Sequence, residues 1–375
     1  MIIVISTVSY LEAILIMMEE KGVYFSSKDY QNDVLRPMNQ EQEALRVHIF
    51  DHLQLNRSTS LDNDTNLFWG LYRHGYMPQS LNLEYLKVAR AQETIYDLLY
   101  QYKKNRQFLK QFGLKLLNQL DRTNRLHGHW SLDTPTGRLK CSSPALQAFP
   151  ATVSKYFGAP PGFDRITGDY KLIELRVLAQ LSQDPLLIQV FKEDIDIHSQ
   201  TASIMYGKSL NSITNLERKT GKQINFGVIY GIGSDSLFKI LTKENAQLTF
   251  ADAKQFRTSF FSTYRGVAQW QNKVLQAPIV DGLSGLSWSS FPSLNCRLNY
   301  PIQGSAAAGL KLALISLYKN LKPGWYISHS VHDEIQLIVP SSDTVQGKNA
   351  LEQSMITGMS TIIKDLPIKV KIIIN

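Results

Sequence analysis

Apolar positions along the chain follow more than one spacing, and each spacing predicts a different element. Over residues 40–55 and 84–120 they fall three and four apart, as at Ile95, Leu98, Leu99 and Tyr102, which predicts helices with one buried stripe. Breakers follow at Asp133-Thr134-Pro135-Thr136-Gly137 and at Gly158-Ala159-Pro160-Pro161-Gly162. Arg165 to Asp169 then predicts a short strand leading into a helix from Ile173 to Ser182. Residues 186–275 predict mostly helix, and Trp325 to Pro340 predicts two strands around a tight turn at His332-Asp333-Glu334. The first eighteen residues are a nearly continuous apolar run, for which a buried strand followed by a helix is expected. Glu12 interrupts that run, no basic leader precedes it and no small-residue cleavage site follows. Neither a signal peptide nor a membrane anchor is therefore expected. With no repeat and no Gly/Ser linker, helices set between mixed strands predict an α+β protein with several subdomains around a shared sheet.

The 375 residues are 43% hydrophobic and 19% charged, enough for two or three cores in an ordinary globular composition. Formal net charge is +8, and its placement says more than its size. Residues 84–140 hold eleven Lys or Arg against five acids, so most of the excess lies in one stretch. That distribution suits a phosphate backbone, and it equally suits a solvated helical face. Cys141 and Cys296 have no metal-ligand spacing and fit a reducing compartment.

Two constellations carry candidate chemistry. Asp169 ends a predicted strand and Asp333 sits in a predicted hairpin turn, places where a short acidic side chain projects from rigid backbone. Brought together, two such carboxylates can hold a pair of divalent cations, although spacing alone leaves them open as unrelated turn residues. Arg218, Lys222, Phe226 and Tyr230 recur every four residues, which puts two cations and two aromatics on one slowly drifting helical stripe. A nucleoside triphosphate has the same polarity, phosphates at one end and a flat base at the other. An amphipathic helix with Phe and Tyr in a core would produce the same spacing.

At this point the residues converge on a family. Asp169-Tyr170-Lys171-Leu172-Ile173-Glu174-Leu175-Arg176 resembles the first palm motif of the A-family DNA polymerases, and His332-Asp333-Glu334 resembles the second. The stripe from Arg218 to Tyr230 is similar to that family's fingers helix, and Thr136-Gly137-Arg138 with Pro144 to Gln147 to its primer-contacting segment. Asp196-Ile197-His198, Pro301-Ile302-Gln303-Gly304 and Glu19 to Val23 fall in the family's order, so the resemblance runs from about residue 10 to the C-terminus.

The resemblance implies a right-hand polymerase fold: residues 1–40 lead into the palm, 41–130 form the thumb, 131–185 the palm with the first metal motif, 186–284 the fingers and 285–375 the palm with the second. It implies a DNA-directed DNA polymerase that extends a primer 3′-hydroxyl with dNTPs, using two Mg²⁺ ions, with Mn²⁺ as a substitute. Asp169 and Asp333 are the implied metal ligands, assisted by the carbonyl of Tyr170. His198, Arg218 and Lys222 would hold the triphosphate, and Lys222 would also protonate departing pyrophosphate. Glu174 would exclude a 2′-hydroxyl, Phe226 would pack on the sugar, as goes with poor use of dideoxynucleotides, and Tyr230 would guard the templating base. Arg138, Gln147, Gln303, His332 and Glu334 would meet primer or template. Primer-template DNA is the implied partner of a monomer in the cytoplasm or another DNA-containing compartment, with no room upstream for a proofreading nuclease.

The departures are as specific as the matches. Lys171 and Leu172 replace the family's usual polar pair, Ala308 stands where Asp is usual, Asn295 where Arg is common, and Ala145 and Ala148 at two common Asn positions. They put fidelity and processivity in doubt and leave the chemistry intact. Two rivals remain at this stage: a single-subunit RNA polymerase, opposed by Glu174 and Phe226, and a catalytically silent DNA-binding relative.

Overall fold

The computed structural model describes residues 2–375, with side chains described from residue 9 onward. The chain forms two compact units, one of Met1–Gly22, His127–Gln147 and Ala159–Asn375, the other of Val23–Leu126 and Ala148–Gly158.

The first unit is organised by an antiparallel sheet that carries both predicted acids. Its strands are β1 (Phe163–Tyr170), β2 (Tyr326–Val331), β3 (Glu334–Pro340) and β4 (Val370–Ile374), in the order β4-β1-β3-β2. The predicted strand at Arg165–Asp169 and the hairpin at 325–340 are therefore both present. Register sets Asp169 between Glu334 on β3 and Lys371 on β4. Alternation along β1 separates two faces. Ile166, Gly168 and Tyr170 point at helix Thr344–Ser360: a Cβ on Gly168 would lie 2.4 Å from Met355 Sδ, and the Tyr170 hydroxyl donates to the Met355 carbonyl at 2.6 Å. Arg165, Thr167 and Asp169 consequently share the opposite face.

Helices complete this unit. Strand β1 runs into α1 (Ile173–Ser182), as the pattern predicts, and the helical stretch after it includes α2 (Ile197–Tyr206) and α3 (Asn215–Ile229). The long helix α4 (Leu294–Lys319) contains Pro301, and Ser305 Oγ donates to the Pro301 carbonyl at 2.6 Å. It packs so closely on α5 (Thr344–Ser360) that a Cβ on Gly358 would lie 2.3 Å from the Ala313 amide nitrogen. The N-terminal run departs from expectation: it is one helix, Ile2–Lys21, followed by the short strand Val23–Phe25. Among its described side chains, from residue 9 onward, Leu11, Ile14 and Met18 are buried, three and four apart, a helical period hidden by the density of apolar residues around it. Gly22, at φ +59°, ends the helix. Among the described residues no helix is long and apolar enough to cross a membrane.

The second unit packs helices Arg36–His52 and Thr94–Phe112 over a core that includes Leu45, Ile49, Phe50, Leu99 and Tyr102. Val23–Phe25 is the middle strand of its own three-stranded antiparallel sheet. The helix expected over 84–120 is three pieces: Leu83–Ala89, Thr94–Phe112 and Leu114–Leu117. Within the basic stretch Arg90 pairs with Asp97 at 2.7 Å, Lys103 with Asp64 at 2.6 Å and Arg106 with Asp62 at 2.5 Å. Two of those acids lie outside the stretch, so its excess of positive charge is smaller in space than in sequence.

Candidate active site

Asp169 is the last residue but one of β1, and Asp333 occupies the two-residue turn between β2 and β3, where His332 takes the left-handed conformation at φ +52°. The Tyr170 amide donates to the Asp333 carbonyl at 3.4 Å, which ties the strand end to the turn. Both acids are partly buried, and each suffers for it. Burial, and then the charge of Asp169, pushes the Asp333 carboxyl up to about 6. Burial also raises Asp169, against an opposing effect of Lys371. Glu334 is raised by burial as well, and a hydrogen bond from Gln336 at 2.7 Å works against the rise.

A pair of carboxylates raised by burial, one of them also by its neighbour's charge, is short of positive charge, and a divalent cation would supply it. Among the described residues no group of three or more His, Cys, Asp or Glu is gathered as a metal cage. Two carboxylates with open surroundings fit magnesium well, because that ion keeps several waters and binds through one or two carboxylates plus substrate phosphates.

Beside Asp333 lies a cavity of about 350 Å³ lined by Arg138, Leu172, Ile173, Glu174, Phe226, Tyr230, Ala306, Ala307 and His332. Glu174 is its polar centre: Arg138 pairs with one carboxylate oxygen at 2.5 Å, and the Tyr230 hydroxyl donates to the other. Burial, then Glu174, raises the Tyr230 phenol above its usual range, and a hydrogen bond with Gln303 opposes the rise.

Helix α3 delivers the predicted stripe. Thr214 and Glu217 form a capping box at its N-terminus, which fixes where the helix begins and hence which way Arg218 and Lys222 project. Tyr230 is the residue that caps its other end. Gly221 lets α3 lie against α2, since a Cβ there would come within 2.2 Å of the His198 carbonyl oxygen. Arg218 grips Asp196 through Nε at 2.6 Å and Nη2 at 3.0 Å, and Asp196 also caps α2 by accepting from the Ser199 amide. Burial would raise Asp196, but those hydrogen bonds hold it below the usual carboxylate range. His198 is buried, lies 3.0 Å through Nδ1 from Asn225 and 5.9 Å between centroids from Phe226. Burial drives its imidazole down to about 4, so with no ligand bound it is a neutral hydrogen-bonding group. Lys222 is exposed.

Residues 27–283 of the chain match the DNA polymerase family A model. The chain belongs to that family. It is 32% identical over 250 residues to DNA polymerase I of Aquifex aeolicus, covering 64% of this chain and 43% of that protein. Thermostable DNA polymerase I of Thermus thermophilus is 33% identical over 320 residues, covering 78% of this chain and 37% of that protein. The chain thus spans about two fifths of the length of these relatives. In fold it resembles the POL domain of Pol1 from M. smegmatis, solved in complex with DNA primer-template and dNTP, with a TM-score of 0.81 over 98% of this chain and 69% of that chain at 21% identity. The α+β right-hand polymerase fold is therefore the architecture of this family A chain.

Within that polymerase fold most of the expected residues converge. Asp169, Asp333, Tyr170 and Glu334 meet at the end of the sheet, while Glu174, Arg138, Phe226, Tyr230 and His332 line the cavity, with Gln303 at Tyr230. Gln147 is anchored within the protein: its Oε1 accepts from the Cys141 amide at 3.0 Å, and its Nε2 donates to the carbonyls of Ser330 at 2.9 Å and Leu139 at 3.3 Å. In this family A chain it joins the hairpin of His129–Ser131 and Lys140–Ser142 to β2. Sequence reasoning missed Ala306 and Ala307, whose small side chains leave the cavity its volume. It also missed Lys371, because a cross-strand neighbour is invisible until register is known.

Proposed function

We propose that this chain is a template-directed DNA polymerase that adds deoxynucleotides to a primer 3′-hydroxyl and releases pyrophosphate. The observation that carries the reading is the meeting of Asp169 and Asp333 beside a cavity walled by Glu174, Phe226 and Tyr230. Asp169 and Asp333, with the Tyr170 carbonyl, would hold two magnesium ions, or manganese in their place. When bound, that pair supplies a more acidic 3′-hydroxyl and charge stabilisation for the oxygens of the departing pyrophosphate.

The chain's own residues supply position and charge. Lys222 and Arg218 neutralise the triphosphate, and Arg218 turns from Asp196 or shares it when phosphate arrives. Neutral His198 adds a hydrogen bond, and Lys222 gives its proton to pyrophosphate as the α-phosphate bond breaks. Glu174, braced by Arg138 and Tyr230, fills the space a 2′-hydroxyl would need. Phe226 packs on the sugar. Gln303, Arg138, His332 and Glu334 face the terminal base pair, and Gln147 supports them through β2.

On this reading residues 131–185 and 285–375 are palm, 186–284 fingers, 41–130 thumb and 1–40 the lead-in. On the same reading the chain, assayed as it stands, extends a primer and does not shorten it.

The test is primer extension with dNTPs by the wild type, Asp169→Ala and Asp333→Ala. Each substitution is expected to lower extension by about a thousandfold or more with DNA binding retained. DNA binding without extension by any of the three proteins would leave a DNA-binding protein without polymerase chemistry, equal extension by all three would remove Asp169 and Asp333 from the chemistry, and preference for rNTPs would move the chain to RNA synthesis.

A further inference from the structure

Strand β4 brings a cation to the acidic centre that no motif contains. Lys371 is the register partner of Asp169, so Lys371, Asp169 and Glu334 form one row across three strands. Cross-strand partners have Cβ atoms about 4.5–5.5 Å apart and project to the same side of the sheet. The neighbours of Lys371 fix which side that is. Val370, Ile372 and Ile374 line a groove with Lys348 and Glu352 of α5, on the far face, which leaves Lys371 on the face that presents Asp169. The side chain is exposed at the sheet edge, so its ammonium can approach Asp169 or withdraw into water.

We propose that Lys371 is a built-in counter-ion of Asp169 that lowers the affinity of the Asp169–Asp333 pair for divalent cations when no nucleotide is bound. The inference rests on the metal-binding reading above. A divalent ion and an ammonium compete for one carboxylate, so a Lys371 ammonium drawn toward Asp169 weakens the ion's binding. Nucleotide phosphates add negative charge to the same place and tilt the competition toward the ion. Lys371 therefore acts through Asp169 as a positioning residue and favours loading of metal together with triphosphate.

The test is Mn²⁺ binding to the whole chain without DNA or nucleotide, read from the electron paramagnetic resonance signal of free Mn²⁺. A solvent-screened charge at a neighbouring sheet position sets the expected scale: Lys371→Met binds Mn²⁺ about three- to tenfold more tightly than wild type. Lys371→Glu binds more tightly still, Lys371→Arg stays at the wild-type value, and Lys348→Met on the far face changes nothing. Unchanged or weaker Mn²⁺ binding by Lys371→Met, with Asp169→Ala abolishing the site, overturns the counter-ion. So does loss of Mn²⁺·dNTP affinity in Lys371→Met with Mn²⁺ alone unaffected, which would make Lys371 a phosphate ligand. Wild-type binding that survives Asp169→Ala overturns the metal reading itself, and the counter-ion with it.

Discussion

Glu174 shows how one side chain combines size and charge. It holds Arg138 and Tyr230 at once, so its carboxylate orders the floor of the cavity as well as filling it. Two substitutions separate these roles. Glu174→Ala removes the bulk and is expected to raise rNTP use relative to dNTP by at least about tenfold, within the range that differential fit in a pocket produces. Glu174→Gln keeps the bulk and is expected to leave sugar choice within a few fold while weakening the tie to Arg138. Single-nucleotide incorporation with rNTP and dNTP reads both; equal discrimination in Glu174→Ala and wild type would remove the gate. A second residue-scale effect lies in β2. His329 is fully buried against Trp130, 5.4 Å between centroids, and burial, then Arg165, drives its imidazole down to about 3. Above pH 6.5 both folded and unfolded imidazoles are neutral and the shift has no effect on stability. As pH falls from 6.5 toward 3 the unfolded chain takes up the proton first, so stability is lost across that window at up to about 1.4 kcal/mol per pH unit for this group. Denaturant midpoints at pH 7.5 and 5.5 should therefore differ less in His329→Leu than in wild type. An identical pH dependence in the two proteins would show that His329 is not held neutral.

At the scale of elements, what the sequence disclosed depended on how local the cause was. The strand into α1 and the hairpin at His332 were legible because β-branched runs and a tight turn are local signals. The stripe from Arg218 to Tyr230 was legible because its period is helical. The N-terminal helix was misread because apolar residues crowd it so densely that the positions at 11, 14 and 18 do not stand out. The break between Ala89 and Thr94 carries no Gly or Pro to announce it. Lys371 and the bracing by Gln147 depend on register between distant strands, which no local signal encodes. Gly221 belongs to the same non-local class. Its missing side chain sets the distance between α3 and α2, and hence between the stripe and His198. Gly221→Ala forces a Cβ onto backbone that cannot yield without the helices separating, and overpacking of this kind typically costs about 1–3 kcal/mol. The expected result is a lower melting temperature and a raised KM for dNTP, with affinity for primer-template DNA unchanged. A KM at the wild-type value would mean that the helix pair does not set the nucleotide site.

For the whole molecule the question is where its positive charge acts. A formal +8 would draw any polyanion, and the ion pairs to Asp62, Asp64 and Asp97 show that part of the basic stretch is neutralised internally. Pairs at or near the surface contribute about 1 kcal/mol or less each to stability, so their larger effect is to subtract cations from those able to meet phosphate. Lys104, Lys110 and Lys115 lie exposed in the same stretch. If the second unit grips duplex DNA through its backbone, each lysine that meets a phosphate releases a counterion and steepens the fall of affinity with salt by about 0.9 in log–log slope. Replacing all three by Gln is then expected to reduce that slope by about two to three and to weaken binding by the same factor on unrelated sequences, while KM for dNTP stays within twofold of wild type. Fluorescence anisotropy on a primer-template across a range of salt concentrations measures the slope. A triple variant with the wild-type slope would mean that DNA is held by other cations, and would take the thumb assignment of residues 41–130 away with it.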